Sequence, residues 1–169
     1  MIGKGKSISH GTAALEYDLA KEIDGQTAAI EIARHELYGC TGAEMVQEMK
    51  PYHADFPNVK NNCLRFEVSP SIEESATFTD ADWAELGNDF MQRMGLANHQ
   101  YIIIRHSGTE SKKEQAHLHI LANRVSLSGE LYRDNWIGKK ATEAANAIAK
   151  ERNFVQSQDI GKANKAEIK

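Results

Sequence analysis

The stretch His106 to Val125, HSGTESKKEQAHLHILANRV, contains three of the chain's seven histidines. His117 and His119 stand two residues apart. Side chains alternate along an extended strand, so both imidazoles point to the same side of a sheet. His106 closes the β-branched run Tyr101 to Arg105, where a hairpin brings it beside the other two. Three converging imidazoles form a facial metal site with positions left open for water and substrate. A His-x-His pair alone is equally an ordinary surface or pocket feature. The third histidine, at the end of the neighbouring strand, is what points to metal. Imidazole ligands favour the later divalent ions, so Zn²⁺ or Ni²⁺ is expected to bind in vitro.

The elements that must position these residues follow from periodicity. Tyr101 to Arg105 and Ala116 to Val125 read as strands joined by about ten residues, too few for a crossover helix, hence an antiparallel hairpin. Asn62 to Ser69 alternates, with Leu64, Phe66 and Val68 on one face and Cys63, Arg65 and Glu67 on the other. A helix is expected from Thr12 as N-cap, with Leu15, Leu19 and Ile23 as its stripe and Asp24-Gly25 as its end. Ala28 to Tyr38 reads as a second helix or irregular helical turn. Thr41-Gly42-Ala43-Glu44 is a capping-box pattern opening a helix that runs to about Tyr52. Thr79-Asp80-Ala81-Asp82 opens another, with Trp83, Leu86, Phe90 and Met94 buried and Gly95 as its stop. Lys140 to Arg152 is helical with Ala141, Ala144, Ala145, Ile148 and Ala149 inward. Gly3 to His10 is a strand or a loop. The fold class is α+β, an antiparallel sheet with helices packed on one face.

At 169 residues, 41% hydrophobic and 26% charged, the chain makes one ordinary domain with a real core. Residues 1–155 are read as that domain, and 156–169 as a polar tail opening a linker to a further C-terminal region. Apolar runs are too short to span a membrane, the N-terminus lacks the apolar core of a signal peptide, and Cys40 and Cys63 make no disulfide framework; the expected location is the cytoplasm. The net charge of −4 is unevenly spread. Residues 1–100 carry 8 basic and 16 acidic side chains, and residues 101–169 carry 12 and 8. Such asymmetry lets a polyanion dock on one side only.

His106, His117-Leu118-His119 and Asn123-Arg124-Val125 together resemble the third motif of the HUH relaxases, the mobilisation nucleases of conjugative and mobilisable elements. The resemblance runs from about Gly11 to Phe154. It implies that His106, His117 and His119 hold a divalent ion, Mg²⁺ or Mn²⁺, on the sheet. It implies a tyrosine nucleophile near the N-terminus, for which Gly11-Thr12-Ala13-Ala14-Leu15-Glu16-Tyr17 is the match. Tyr17 lies off the Leu15/Leu19 stripe, and Lys21 follows one turn on, placed to hold phosphate or favour phenolate. Tyr38, Tyr52, Tyr101 and Tyr132 are the rivals. Two departures stand out. The family's acid two residues after the first histidine is replaced here by Gly108, and the strand 62–69 carries Arg65 and Glu67 where a histidine is common. Glu67 is then the candidate to orient a histidine or accept the tyrosine proton, and Arg65 a phosphate ligand. Both also read as a solvated ion pair.

The activity implied is nicking and rejoining of one strand at an origin of transfer, through a 5′-phosphotyrosyl intermediate. Single-stranded origin DNA is the expected partner, with accessory mobilisation proteins and a coupling protein, and no membrane. Lys21, Arg65, Lys112, Lys113 and Arg124 are the candidate DNA-binding cations. Gly3-Lys4-Gly5-Lys6-Ser7 lacks the spacing of a phosphate loop and reads as a flexible basic segment able to touch the DNA backbone. Alternatives remain open: a rolling-circle initiator or transposase sharing the same site, three histidines activating water on zinc, or a domain that binds origin DNA without cutting it.

Overall fold

The computed structural model describes residues 1–167. Its centre is a five-stranded, wholly antiparallel sheet of β1 (Ile2–Ile8), β4 (Ala29–His35), β5 (Cys63–Ser69), β6 (Tyr101–His106) and β7 (His117–Asn123), in the spatial order β1-β5-β7-β6-β4. Two short strands, β2 (Glu22–Ile23) and β3 (Gln26–Thr27), form a separate hairpin. The helices are α1 (Gly11–Leu19), α2 (Gly42–Met49) with a 3₁₀ turn at Lys50–His53, α3 (Ile72–Ser75), α4 (Asp80–Arg93), α5 (Ile137–Glu151) and α6 (Ser157–Glu167).

The class is the expected α+β, and β6–β7 is the expected hairpin. The helices cover both faces of the sheet rather than one. Leu64, Phe66, Val68, Ile103, Leu118 and Ile120 build a core under α4 and α5, while Cys63, Ile102, Ile104 and Leu121 build a second, smaller core under α1 and α2. Each inner strand is therefore apolar on alternate residues of both faces, which is why β6 reads Tyr-Ile-Ile-Ile without alternation. The stripes Trp83/Leu86/Phe90/Met94 and Ala141/Ala145/Ile148/Ala149 are buried as their spacing requires. Thr41 and Thr79 close full capping boxes with Glu44 and Asp82.

Three expectations are corrected. Residues 29–35 are an edge strand, not a helix: pairing with β6 from Ala29↔His106 to His35↔Tyr101, across a bulge at Glu31/Ala33, overrides a weak local preference. Ile23 belongs to β2, because Asp24 and Gly25 adopt φ of +52° and +74°, the left-handed pair of a two-residue hairpin turn rather than a helix end. Residues 3–7 are not a flexible segment but most of the edge strand β1. Its glycines let α5 approach: a Cβ on Gly3 would lie 2.4 Å from the carbonyl oxygen of Ala141. Among the described residues no helix is long and apolar enough to cross a membrane.

Candidate metal centre and nuclease site

On the α1 face of the sheet, apolar side chains give way to polar ones toward one end of the strands. Lys4 and Lys6 share the parity of buried Ile8, Arg65 and Glu67 that of Cys63, His117 and His119 that of Leu121, and His106 that of Ile104. Register brings them into rows. His106 pairs with His117, His119 with Glu67, Glu67 with Lys4, and Arg65 with Lys6.

The three histidines converge. One ligating nitrogen from each lies within 4.8 Å of the others. They are not open on the sheet surface: His106 and His117 are buried and His119 half-buried, roofed in part by α1. Their tautomers are set by acceptors. His106 donates from Nε2 to the carbonyl oxygen of Asp18 at 2.7 Å, and His117 donates from Nδ1 to that of Gln115 at 2.9 Å. Nδ1 of His119 faces Oδ1 of Asp18 at 4.0 Å. A carbonyl oxygen can only accept, so His106 Nε2 and His117 Nδ1 carry the protons, and His106 Nδ1 and His117 Nε2 keep lone pairs. The two Nε2 atoms stand 3.1 Å apart. The lone pair of His117 Nε2 is met there by a proton on His119 Nε2 or, with a metal bound, by the ion, and the three clustered imidazoles fit a divalent ion. Burial, then the charges of His106, His117, Arg65 and Lys21, pushes His119 down to about 2, and burial also lowers His106. Neutral imidazoles are the form that ligates.

Asp18 is the residue the sequence reading missed. It is 1% exposed, and its carboxylate takes Arg65 through Nε at 3.2 Å and Nη2 at 2.5 Å. Its Oδ1 stands 4.0 Å from His119 Nδ1, while Glu67 is the register partner of His119 on the neighbouring strand. The signal was an acid on the Ala14/Leu15 face of α1, where only apolar residues are expected.

Glu67 lines two adjoining clefts. One, of about 230 Å³, is bounded by Lys4, Lys6, Arg65 and His119 as well, and the other by Lys4, Lys112, Gln115 and His117. Tyr17 is exposed on α1, next to Asp18, with Lys21 Nζ 3.4 Å from its hydroxyl. The rival tyrosines lie elsewhere. Tyr101 donates to Asn88 and Tyr132 to the Met94 carbonyl. Tyr38 follows the end of β4 opposite His106, and Tyr52 is in the 3₁₀ turn whose His53 bonds Asn123, at the far end of β7. Of the other cations, Lys113 pairs with Asp24 at 2.7 Å. Arg124 does not reach the site. Its guanidinium binds the carbonyls of Tyr132 and Asn61 and the carboxylate of Asp134, clamping the loop beyond β7. Asn123 is likewise structural, buried against Gln100, Met49 and His53.

An antiparallel sheet presenting three converging histidines beneath a tyrosine-bearing helix defines an HUH-type DNA endonuclease domain. The family of relaxase, MobA/VirD2-like, nuclease domain matches residues 17–154, and the chain belongs to that family, whose members nick DNA for mobilisation. No curated protein matches the chain.

Proposed function

We propose that residues 1–155 nick and rejoin one strand at an origin of transfer, with Tyr17 as nucleophile. The observation that carries this reading is the placement of Tyr17 directly before Asp18, the residue that contacts both His106 and His119. A divalent ion, Mg²⁺ or Mn²⁺, on the three imidazoles supplies Lewis-acid neutralisation of the charge developing on the phosphodiester. Free tyrosine, with a pKa of about 10, is a poor nucleophile at neutral pH. The ammonium of Lys21 donates to the hydroxyl oxygen at 3.4 Å and orients it. Glu67, on the cleft wall, takes the phenolic proton. The Tyr17 oxygen bonds to phosphorus, the bond from phosphorus to the 3′ oxygen breaks, and that oxygen takes the proton held by Glu67 and leaves as a hydroxyl. The ester keeps the energy of the broken bond, so the 3′ hydroxyl of an end brought to the site can reverse the step. Lys4, Lys6 and Arg65 bind the flanking backbone.

The test is incubation with Mg²⁺ or Mn²⁺ and single-stranded origin DNA, followed by denaturing electrophoresis. A protein–oligonucleotide band that survives denaturation is expected. Cleavage with no such band would replace this reading by metal-activated hydrolysis.

A further inference from the structure

Trp136 combines two unfavourable properties. Its backbone is left-handed at φ +59°, a region costly for a bulky side chain, and its ring is 75% exposed. Strain of this kind persists where surroundings impose it and concentrates at ligand contacts. Packing returns little for an indole so exposed.

Its position is fixed. Two residues before it, Asp134 accepts from the hydroxyl of Ser7 at 2.7 Å; two residues after it, a Cβ on Gly138 would lie 3.7 Å from the carbonyl oxygen of Gly5. Trp136 is thus fastened on the α5 side of the sheet's outer edge at Gly5–Ser7. On the same stretch of β1, Lys6 projects into the cleft against Arg65, its register partner. The row His119, Glu67, Lys4 carries the cleft from the histidines to that edge, two strand spacings or about 10 Å. Asp134, two residues before Trp136, is paired with Arg124 at 3.0 Å, and Arg133 and Lys139, three residues to either side in the chain, are exposed, Lys139 with Glu143 3.9 Å away. Lys4 and Lys6, on the opposite face of β1 from α5, carry the cationic cleft outward from the three histidines to the edge beside which Trp136 stands, so a strand reaching the indole passes round that edge.

We propose that Trp136 is a stacking platform for one base of the single strand held in the cleft, with Lys4 and Lys6 contacting the phosphates in between. Every base has a π-face, so the contact is tolerant of sequence and supplies affinity and path rather than origin choice. The inference rests on the nuclease reading for its ligand.

The chain's two tryptophans make the test direct, because Trp83 is buried. Single-stranded oligo(dT) of about 20 nucleotides, longer than typical single-strand sites, is titrated against the metal-free protein while tryptophan emission is followed. Wild type should quench on binding, and Trp136→Phe, which leaves only Trp83 emitting, should not. Trp136→Ala should bind roughly five- to a hundredfold more weakly. Lys6→Gln should lower the slope of log affinity against log salt by about one. Trp136→Gly relieves the backbone and should melt no lower than wild type while binding as weakly as Trp136→Ala. Salt-dependent binding without quenching, matched by Trp136→Ala, overturns this inference and leaves the nuclease reading standing. So does a Trp136→Gly variant that melts lower yet binds normally. A wild-type protein that binds no oligo(dT) overturns both.

Discussion

Arg65 and Asp18 form a two-point ion pair across the site, Nε to Oδ2 at 3.2 Å and Nη2 to Oδ1 at 2.5 Å. The strand that walls the cleft is thereby tied to the helix that roofs the histidines. The pair fixes the carboxylate that His119 faces, while the same residue's carbonyl holds His106. Asp18→Asn should weaken divalent-metal affinity by about 10- to 100-fold, the usual cost of losing an outer partner of a ligand. Asp18→Ala should also destabilise the fold by about 3 kcal/mol, the low end for a broken buried pair, since the Arg65 side chain keeps 20% exposure. Calorimetry with Mn²⁺ and urea denaturation measure the two effects. Unchanged metal affinity in Asp18→Asn would show that Asp18 does not position His119.

The histidines can be tested singly. His117→Ala removes one ligand, and Mn²⁺ affinity should fall at least about tenfold, with Ni²⁺ and Zn²⁺ binding wild type more tightly than Mn²⁺. His106→Ala carries a second cost, because it leaves the Asp18 carbonyl without its donor, about 1–3 kcal/mol if water does not replace it. Equal Mn²⁺ binding by wild type and His117→Ala would remove the metal centre.

The metal-free protein should lose stability on acidification. His106 and His119 are held below the ordinary imidazole value, His119 at about 2. In the unfolded chain they titrate near 6.5. Below about pH 6.5 the unfolded state takes up protons that the native state refuses, so stability present at neutral pH falls as pH drops, for His119 down toward 2. The slope is at most about 1.4 kcal/mol per pH unit for each proton. Buried His99 adds in the same direction. Urea midpoints measured in chelator between about pH 7.5 and 5 should decline, and less steeply in His119→Gln. A flat profile contradicts the burial of neutral imidazoles.

Tyr17→Phe should leave melting temperature, metal affinity and DNA binding close to wild type, because the ring is exposed and, among the described residues, the hydroxyl is hydrogen-bonded by Lys21 alone. The covalent adduct alone should disappear, and peptide mapping of the wild-type adduct should place the oligonucleotide within Gly11–Lys21. An adduct on Tyr38 or Tyr52 would reassign the nucleophile.

Gly3→Ala should lower stability by about 1–3 kcal/mol, because its Cβ meets backbone, the Ala141 carbonyl, which moves only with α5. A thermal melt checks it. An unchanged melting temperature would mean that α5 gives way freely.

The histidine site was legible in sequence because strand parity and a hairpin place His106, His117 and His119 together without reference to anything distant. The same holds for the stripes of the helices at 80–93 and 137–151 and for the Thr79 capping box of the first, whereas the second starts at Ile137, three residues before the expected Lys140, behind the left-handed Trp136. Asp18 was not legible as a partner, because what makes it one is the docking of α1 over a hairpin about ninety residues later in the chain, a relation that no periodicity encodes. β4 was misread for a similar reason: an edge strand owes its form to its neighbour. The charge asymmetry between chain halves also pointed away from the cleft. Lys4, Lys6 and Lys21 come from the acidic half, whereas Arg124 and Lys113 of the basic half are engaged by Asp134 and Asp24.

The Asp18 carbonyl that receives His106 belongs to neither strand of the histidine hairpin. The ion site is therefore not a portable module. A graft of residues 101–123 onto another scaffold would transfer all three imidazoles, yet His106 would be free to change tautomer and His119 free to rotate. Transplanting the affinity requires α1, and through Arg65 the neighbouring strand as well, so what a designer would have to copy is an arrangement of three separate chain segments.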